Sequence, residues 1–467
     1  MKNILKIVLS IVSLIISILS IVTITKLNML PSKYYVIFIV VIAILNLIGL
    51  IIYTNKKWLK VIGIIAYIIS LIISLIFYYY GSETIDYLRH AFNNDTYELS
   101  EYGVYVLKSK DYELNEIKDF GYLNDEFASK TIKELKSRVN VNGISYDDIY
   151  SIASDLKNES ISSMLLDKTY YNMLVDEKEI LESEIKLVYS FNVEVKKDVK
   201  NNNVTDLKPF NIFLSGSDAR SNYIASKTRS DVNMIISVDP KNKKILLTSI
   251  PRDYYVSVYG KTGLKDKLTH AGIYGIDTSV KTVENLFDIN IDYYIKVGFS
   301  SVIEVVDLLG GIDIESDASF TTYCGDGGAI KTNVKKGMNH FNGGEALSYA
   351  RERHAYALGD RHRILNQQQV LEAVISKITT DKSILLKYDK LLSSLSKLYK
   401  TNIPSELISM LVKNQLDDMS EYTIERQSVS GSDASMNTYT APSKKRYVMI
   451  PYEKDIKRAS ENIKKFA

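Results

Sequence analysis

The chain has 467 residues, 46% of them hydrophobic, and a net charge of +3. That length calls for more than one domain, and so small a charge over so long a chain argues against a nucleic-acid-binding body. The single cysteine, Cys324, excludes an intramolecular disulfide, so any part outside the cell must be held by packed cores.

Three uncharged apolar stretches come first: Ile7 to Thr25, Tyr34 to Thr54 and Val61 to Ser82. Each is long enough to cross a hydrocarbon core of roughly 30 Å as a helix. The first lacks a small-x-small cleavage site and two more spans follow it, which disfavours a cleaved signal peptide. Lys2, Lys6, Lys56, Lys57 and Lys60 fall on one side of these spans, Lys26 and Lys33 on the other. The positive-inside rule then puts the N-terminus in the cytoplasm and everything after about Ser82 outside. The expected membrane region is 1–82.

The next unit is expected over 83–200. Tyr102–Leu107 alternates like a strand, Phe120-Gly-Tyr-Leu reads as another, Asp125 to Arg138 as a helix and Ile185–Val193 as a closing strand. The alternation suggests a small α/β accessory domain. Its order weakly resembles one lobe of a periplasmic solute-binding protein, and both a plain spacer and a ligand-binding role remain open. Lys196 to Lys208 is polar, rich in Asn and Lys, and reads as a linker.

The last unit is expected over 209–467. Strands are predicted at Phe210–Leu214, Met234–Val238, Lys244–Ile250 and near 292–298, with helices near 278–287, 300–309 and 360–378. This is an α/β layered domain. Asp- or Arg-bearing turns stand at the strand ends: Asp218 and Arg220, Arg229 and Asp231, Arg252 and Asp253. In open α/β sheets such ends line the ligand crevice. Lys267 lies in "KLTHA", and Arg351, Arg353, Arg361 and Arg363 fall within thirteen residues. In an extended segment Arg351 and Arg353 would share a face, while Asp360, Arg363 and Gln367 have the spacing of one helix face, with Asp360 a candidate N-cap. Guanidinium forks beside a helix N-terminus suit a pyrophosphate; a solvated salt-bridge cluster is the plainer alternative. Carboxylates suit a hard cation such as Mg²⁺, and the mixture fits phosphoryl transfer, which is mostly positioning and charge stabilisation. The five histidines are too scattered for a zinc site.

Six segments carry a resemblance: "SGSDAR", "RSDVNMIISVDPKNKKILLTSIPRDYYV", "DKLTHAGIYG", "VENLFDINIDYYIKVGFSSVIEVVDLLGGIDIE", "GMNHFNGGEALSYARERH" and "GDRHRILNQQQ". In order and spacing, residues 210 to about 380 resemble the LytR-CpsA-Psr (LCP) family of cell-envelope phosphotransferases, and "KKRYVMIP" resembles that domain's C-terminal strand. The resemblance implies an α/β sandwich with a central mixed sheet. It also implies transfer of a glycopolymer from undecaprenyl pyrophosphate to peptidoglycan, forming a phosphodiester and releasing undecaprenyl phosphate. The implied partners are the polyprenyl-pyrophosphate glycolipid, the peptidoglycan acceptor and the membrane, with the enzyme a multi-pass protein whose catalytic domain faces outward. By the family pattern Asp218 and Asp231 would hold Mg²⁺, with Mn²⁺ an alternative. Arg220, Arg229, Arg252, Lys267, Arg351, Arg353 and Arg363 would bind the pyrophosphate, and Asp360 and Gln367 would orient that group. Asp231, Arg252, Asp253, Arg351 and Arg353 are the expected catalytic set; either Asp253 or Asp231 would be the base. Many members have Arg-Gln where this chain has Asn366-Gln367, so one guanidinium contact is missing. A lipid pyrophosphatase, or a non-enzymatic envelope regulator or sensor, is the alternative reading.

Overall fold

The computed structural model describes residues 2–91, 97–125, 127–196, 206–217, 227–323, 330–356, 359–381, 384 and 399–466. Asp218, Arg220 and Cys324 lie outside the described residues, as does the side chain of Asp360.

Helices α1 (Lys2–Leu27), α2 (Ser32–Gly49) and α3 (Lys57–Ala91) form an N-terminal bundle, and all three are long and apolar enough to cross a membrane. The third continues past Ser82 because its polar continuation, Glu83 to Ala91, contains no Pro or Gly that would stop it. Between apolar helices in lipid, small and polar groups supply the contact. Here Asn46 Nδ2 donates to Ser17 Oγ (3.2 Å) and Ser70 Oγ (2.9 Å), and Ser13 Oγ donates to Asn46 Oδ1 (2.9 Å). The globular part packs at the α1–α2 turn, where Lys413 Nζ donates to Asn28 Oδ1 (3.0 Å) and Lys33 pairs with Asp417 (3.2 Å). Lys56, Lys57 and Lys60 therefore lie at the far end of the bundle.

The next elements are β1 (Tyr97–Leu107), β2 (Asp119–Leu123), α4 (Ala128–Lys136), β3 (Asn142–Tyr146), α5 (Ile149–Lys157), β4 (Met164–Asp167), α6 (Lys168–Asp176) and β5 (Ile185–Lys196). The strands form one sheet in the order β3-β2-β4-β1-β5. Helices α5 and α6 cover one face with Ile152, Leu156, Met173 and Leu174, and α4 covers the other with Leu135 against Val104 and Phe120.

A six-stranded mixed sheet forms the rest of the core. Its strands are β6 (Phe210–Gly216), β7 (Val232–Asp239), β8 (Lys244–Ile250), β11 (Tyr293–Val297), β16 (Tyr399–Thr401) and β17 (Thr423–Ser428), in the order β16-β11-β6-β7-β8-β17. Between β8 and β11 lie β9 (Tyr255–Val256), β10 (Asp266–Lys267), α7 (Leu268–Ala271) and α8 (Ile276–Phe287). After β11 come α9 (Phe299–Leu308), β12 (Ile312–Ser316), β13 (Phe320–Thr321), β14 (Asn333–Val334), β15 (Gly337–Phe341), α10 (Gly343–Arg351) and α11 (Asp360–Thr380). Helix α12 (Ser405–Asp418) precedes β17, and β18 (Gly431–Met436), β19 (Arg446–Pro451) and α13 (Glu453–Lys464) end the chain.

Strands β7 and β8 are apolar almost throughout because both faces are covered. Met234, Ile236 and Val238 face the side covered by α11 and α12, whereas Ile235, with Phe213 and Leu246, faces α8 and α13. The result is an α/β sandwich around a mixed sheet. Gly216 pairs with Val232 and Val297, and Asn233 with Ile250. One end of the sheet therefore gathers the segments that bear the charged turns.

Candidate active site

Asp231 stands immediately before β7 and Arg252 two residues after β8, so the antiparallel register brings them together. Arg252 Nη1 lies 2.7 Å from Asp231 Oδ1. The network continues from Arg252 Nε to Asp253 Oδ2 (3.5 Å) and from Asp253 Oδ1 to Lys267 Nζ (3.1 Å). Burial by itself would push the Asp231 carboxyl up. The charges of Arg252 and Arg229, the hydrogen bond from Arg252 and the charge of Arg363 outweigh it, so the group is held below the usual carboxylate range. Asp231 is thus a permanent anion near neutral pH and a weak base.

The backbone around this network is tightly bonded. Asp231 N donates to Gly216 O (2.7 Å), Ser230 N to Thr269 O (3.1 Å), Thr228 N to Gly272 O (3.2 Å) and Thr269 N to Arg252 O (2.8 Å). Gly272 permits this approach: a Cβ there would stand 2.4 Å from Thr228 O. Beneath Lys267, buried Asp266 accepts from Lys267 N (2.7 Å) and Thr440 N (2.8 Å) and lies 2.7 Å from His270 Nδ1. Burial raises the Asp266 carboxyl, but His270 and these hydrogen bonds bring it below its ordinary value.

The arginine segment is not extended. Arg351 is the last residue of α10, so it and Arg353 do not belong to one extended segment. The helix starts at an Asn342–Glu345 capping box and runs on because Ala346, Leu347 and Tyr349 bury one face. Arg351 lies 4.4 Å from the Phe299 ring centroid, a cation–π contact. Arg353 is exposed, with Nε 3.3 Å from His354 Nε2. Asp360 is not the N-cap of α11; Gly359 holds that position with φ 51°, and Asp360 is the first helical residue. Gln367 is half-buried on that helix.

Three residues outside the expected site set shape the site. Glu352, 2% exposed, accepts from the backbone N–H groups of His354 (2.5 Å), Ala355 (3.0 Å) and Tyr323 (2.6 Å). It folds the chain between Arg351 and Arg353 and ties it to the Phe320–Tyr323 segment. Asn366, fully buried, donates from Nδ2 to Tyr349 O (3.0 Å) and joins α11 to α10. Arg361, one residue into α11, reaches the β18–β19 hairpin at Asp433 (3.3 Å). A Glu between two arginines in a predicted loop was the available signal for the first. Arg361 stood out in the arginine cluster and Asn366 as a departure from the family pattern, but nothing in the local sequence marked the partners they contact.

A recess of about 860 Å³ opens elsewhere, between α12 and the C-terminal ends of α1 and α3, and holds none of the predicted site residues. The charged network lies instead on an open sheet end, as suits a large substrate.

A mixed sheet with buried strands, and an arginine–carboxylate network at one end of it, define an α/β domain with a charged crevice at its sheet end. The chain belongs to the LytR_cpsA_psr family, whose model matches residues 170–456. The match begins inside α6, within the five-stranded unit. The chain is an enzyme, a phosphotransferase of the cell envelope. It is 37% identical over 228 residues to the polyisoprenyl-teichoic acid–peptidoglycan teichoic acid transferase TagU of Bacillus anthracis, covering 48% of this chain and 71% of that one. It is 35% identical over 246 residues to the corresponding transferase TagV of Bacillus subtilis, covering 51% and 62%. The crystal structure of B. subtilis TagV aligns with a TM-score of 0.47 and 31% identity, over 56% of this chain and 98% of that one.

Proposed function

We propose that the chain transfers a polyprenyl-pyrophosphate-linked glycopolymer to peptidoglycan at the outer face of the bacterial membrane, forming a phosphodiester and releasing undecaprenyl phosphate. The observation that carries this reading is the connected series Asp231–Arg252–Asp253–Lys267 at the open end of the sheet, an arrangement suited to a dense, doubly charged phosphate group. The TagU and TagV relatives are named for teichoic acid transfer to peptidoglycan, and the globular part sits on the end of the bundle opposite Lys56, Lys57 and Lys60, which the positive-inside rule makes the outer end.

In this reading an acceptor hydroxyl oxygen attacks the sugar-linked phosphorus. The new P–O bond joins polymer to acceptor, the pyrophosphate bridge breaks and lipid phosphate leaves with the bridging oxygen. Arg229, Arg252, Arg363 and Lys267 bind the phosphate oxygens and lower the charge penalty of the transition state. Arg351 and Arg353 would add to this positive charge, with Gln367 orienting them; the roles that the family pattern gives Arg220 and the Asp360 side chain fall outside the described residues. Asp253 takes the hydroxyl proton, because the depressed pKa of Asp231 makes that group the poorer base.

Magnesium fits the residues present. Among the described residues no hydrogen bond reaches Asp231 Oδ2, leaving an oxygen for a hard cation, and no group of three His, Cys, Asp or Glu gathers at this site or any other. Mg²⁺, or Mn²⁺ in its place, takes most of its ligands from substrate phosphate and water; Asp231 and Asp218 would hold it, and it would draw off pyrophosphate charge.

The test uses the full chain in nanodiscs with a lipid-pyrophosphate-linked sugar and peptidoglycan. Sugar joined covalently to peptidoglycan is expected, and Asp231→Asn should lower that transfer by roughly a hundredfold or more. Sugar phosphate released to water with none joined would make the chain a pyrophosphatase. Orientation is checked separately, with Cys324 replaced by Ser. A membrane-impermeant thiol label on intact cells should reach a cysteine placed at Ser257 and not one at Lys56; the reverse pattern would remove the outer-face assignment.

A further inference from the structure

The β18–β19 hairpin forms one lip of the charged crevice. Met449 N donates to Asp253 O at 2.8 Å, so the hairpin is bonded to the turn that bears Arg252 and Asp253. Tyr447, near the start of β19, keeps 48% of its surface exposed, and its ring centroid lies 6.0 Å from Lys267 Nζ. Asp433 sits diagonally across the hairpin and accepts the Tyr447 hydroxyl at 2.9 Å on Oδ1. Arg361 reaches the same oxygen at 3.3 Å and Gly431 O at 3.1 Å. Arg361 leaves the same helix turn as Arg363, whose charge acts on Asp231. The side chains therefore ring the crevice, from Asp231 through Arg252, Asp253 and Lys267 to Tyr447, Asp433 and Arg361.

The pyrophosphate chemistry uses the first part of this ring and leaves the last three residues without a role. Their chemistry is distinct. Tyr447 offers an open aromatic face. Asp433 is 64% exposed and Arg361 43%, and among the described residues no hydrogen bond reaches Asp433 Oδ2. A pyranose ring has an apolar C–H face and a rim of hydroxyls. An aromatic face matches the first; a carboxylate acceptor beside a guanidinium donor matches the second. Burial, then the hydrogen bond to Asp433, pushes the Tyr447 phenol up to about 12, which keeps the ring neutral in the working range.

We propose that Tyr447, Asp433 and Arg361 form a sugar subsite at the lip of the crevice, which seats a pyranose ring of the glycan substrate next to the phosphate held by Lys267. The subsite rests on the transferase reading and names the contact that reading lacks. The ring can come from the donor's phosphate-linked sugar or from the peptidoglycan acceptor, and the two have the same chemistry at this lip.

The experiment uses the full chain in nanodiscs with Tyr447→Ala, Asp433→Asn and, as the ring-conserving control, Tyr447→Trp. Transfer is measured while the lipid-linked donor and soluble peptidoglycan fragments are varied separately, with thermal unfolding alongside. Tyr447→Ala and Asp433→Asn should each raise KM roughly tenfold for one substrate, with kcat within about twofold and Tm unchanged, and Tyr447→Trp should restore KM. The substrate whose KM rises identifies the source of the ring. Unchanged KM for both substrates, or a fall in kcat alone, overturns the subsite. Direct titration of wild type and Tyr447→Ala with a peptidoglycan disaccharide and with the donor's sugar phosphate reads the subsite without transfer. A wild type that binds a sugar through Tyr447 yet transfers nothing would sink the transferase reading and leave the subsite standing. Equal binding by wild type and Tyr447→Ala sinks the subsite alone.

Discussion

The five-stranded and six-stranded units are built alike, each a sheet with helices on both faces, but they place their charges differently. In the six-stranded unit charges meet at one sheet end in a connected series, Asp231–Arg252–Asp253–Lys267, and that end is left open. In the five-stranded unit most pairs are separate and exposed, such as Lys168 with Glu101 and Lys186 with Asp111 and Glu113. The exception is its junction with the other unit. There Arg446, 15% exposed, lies 3.2 Å from Glu177 and 2.8 Å from Glu179, with its guanidinium 4.8 Å from the Tyr150 ring. Ile273 of the six-stranded unit also enters the core beneath α5 and α6. Fold alone thus does not make a site; a site needs charges converging on a space that packing leaves unfilled. The five-stranded unit puts its partly buried charge into holding its neighbour, on the residue next to Tyr447.

The comparison can be broken first at the crevice. Glu352 is the acceptor for three backbone N–H groups. Glu352→Gln keeps the shape, removes the charge and sets an amide NH₂ against one of those donors. A charge-assisted hydrogen bond is worth about 1.5–3 kcal/mol. Transfer should fall at least about tenfold if the loop holds the arginines for the transition state. Glu352→Asp should fail similarly, because the shorter side chain cannot span the same donors. Normal kinetics in both variants would make the segment after α10 irrelevant to the site.

Arg446→Ala probes the junction and should act on stability more than on chemistry. It leaves partly buried Glu177 without its cation and Glu179 with Lys444 alone, at 2.6 Å, which should cost about 1–3 kcal/mol, less than for a fully buried pair because water reaches both carboxylates. Faster hydrogen exchange in α6 and only a few-fold loss of transfer are expected. A loss of transfer as large as that of Asp231→Asn would mean that the five-stranded unit takes part in the chemistry.

Acid separates the two regions more gently. The folded-state pKa of Asp231 is lowered, so its contribution to stability is complete above the unfolded value, near 3.8, and is lost as pH falls through the lower folded value. The difference in Tm between wild type and Asp231→Asn should stay level from about pH 8 to about pH 5 and shrink only below 3.8. A difference that shrinks already between pH 7 and 5 would show that the surrounding arginines do not hold the group ionised.

Which of this was legible in sequence follows from how local each signal is. Strands β7 and β8 could be read because burial on both faces leaves a continuous apolar run. The meeting of Asp231 with Arg252 could be anticipated because both stand at the ends of such runs. The state of Arg351 could not, since "GEALSYARER" suits either a helix end or a turn; the burial of Ala346, Leu347 and Tyr349 decides it. Asp360 was a candidate cap of α11 by residue type, and the positive φ of Gly359, which puts the cap one residue earlier, is not visible in sequence. Asp433 gave no signal, and "KKRYVMIP" marked a strand at Arg446 and Tyr447 but not what the two side chains touch. Their meaning comes from a hairpin that returns to the crevice after long separation in sequence. Asn366 is likewise explained only by packing: a short amide fits where α10 and α11 touch.

The smallest effect should come from the charges the five-stranded unit shows to solvent. Lys168 Nζ lies 2.7 Å from Glu101 Oε2, but the two side chains are 55% and 42% exposed. At such exposure the attraction is screened, and ordering two long side chains offsets most of what remains. Lys168→Met should therefore change stability by no more than about 0.5 kcal/mol and leave transfer kinetics as they are. The same substitution at Lys267, where the lysine is 17% and its partner Asp253 14% exposed, should impair transfer strongly with little change of fold. Thermal unfolding and transfer assays on the pair of variants make the test. Equal effects at the two positions would mean that convergence at the open sheet end confers nothing beyond an ordinary ion pair.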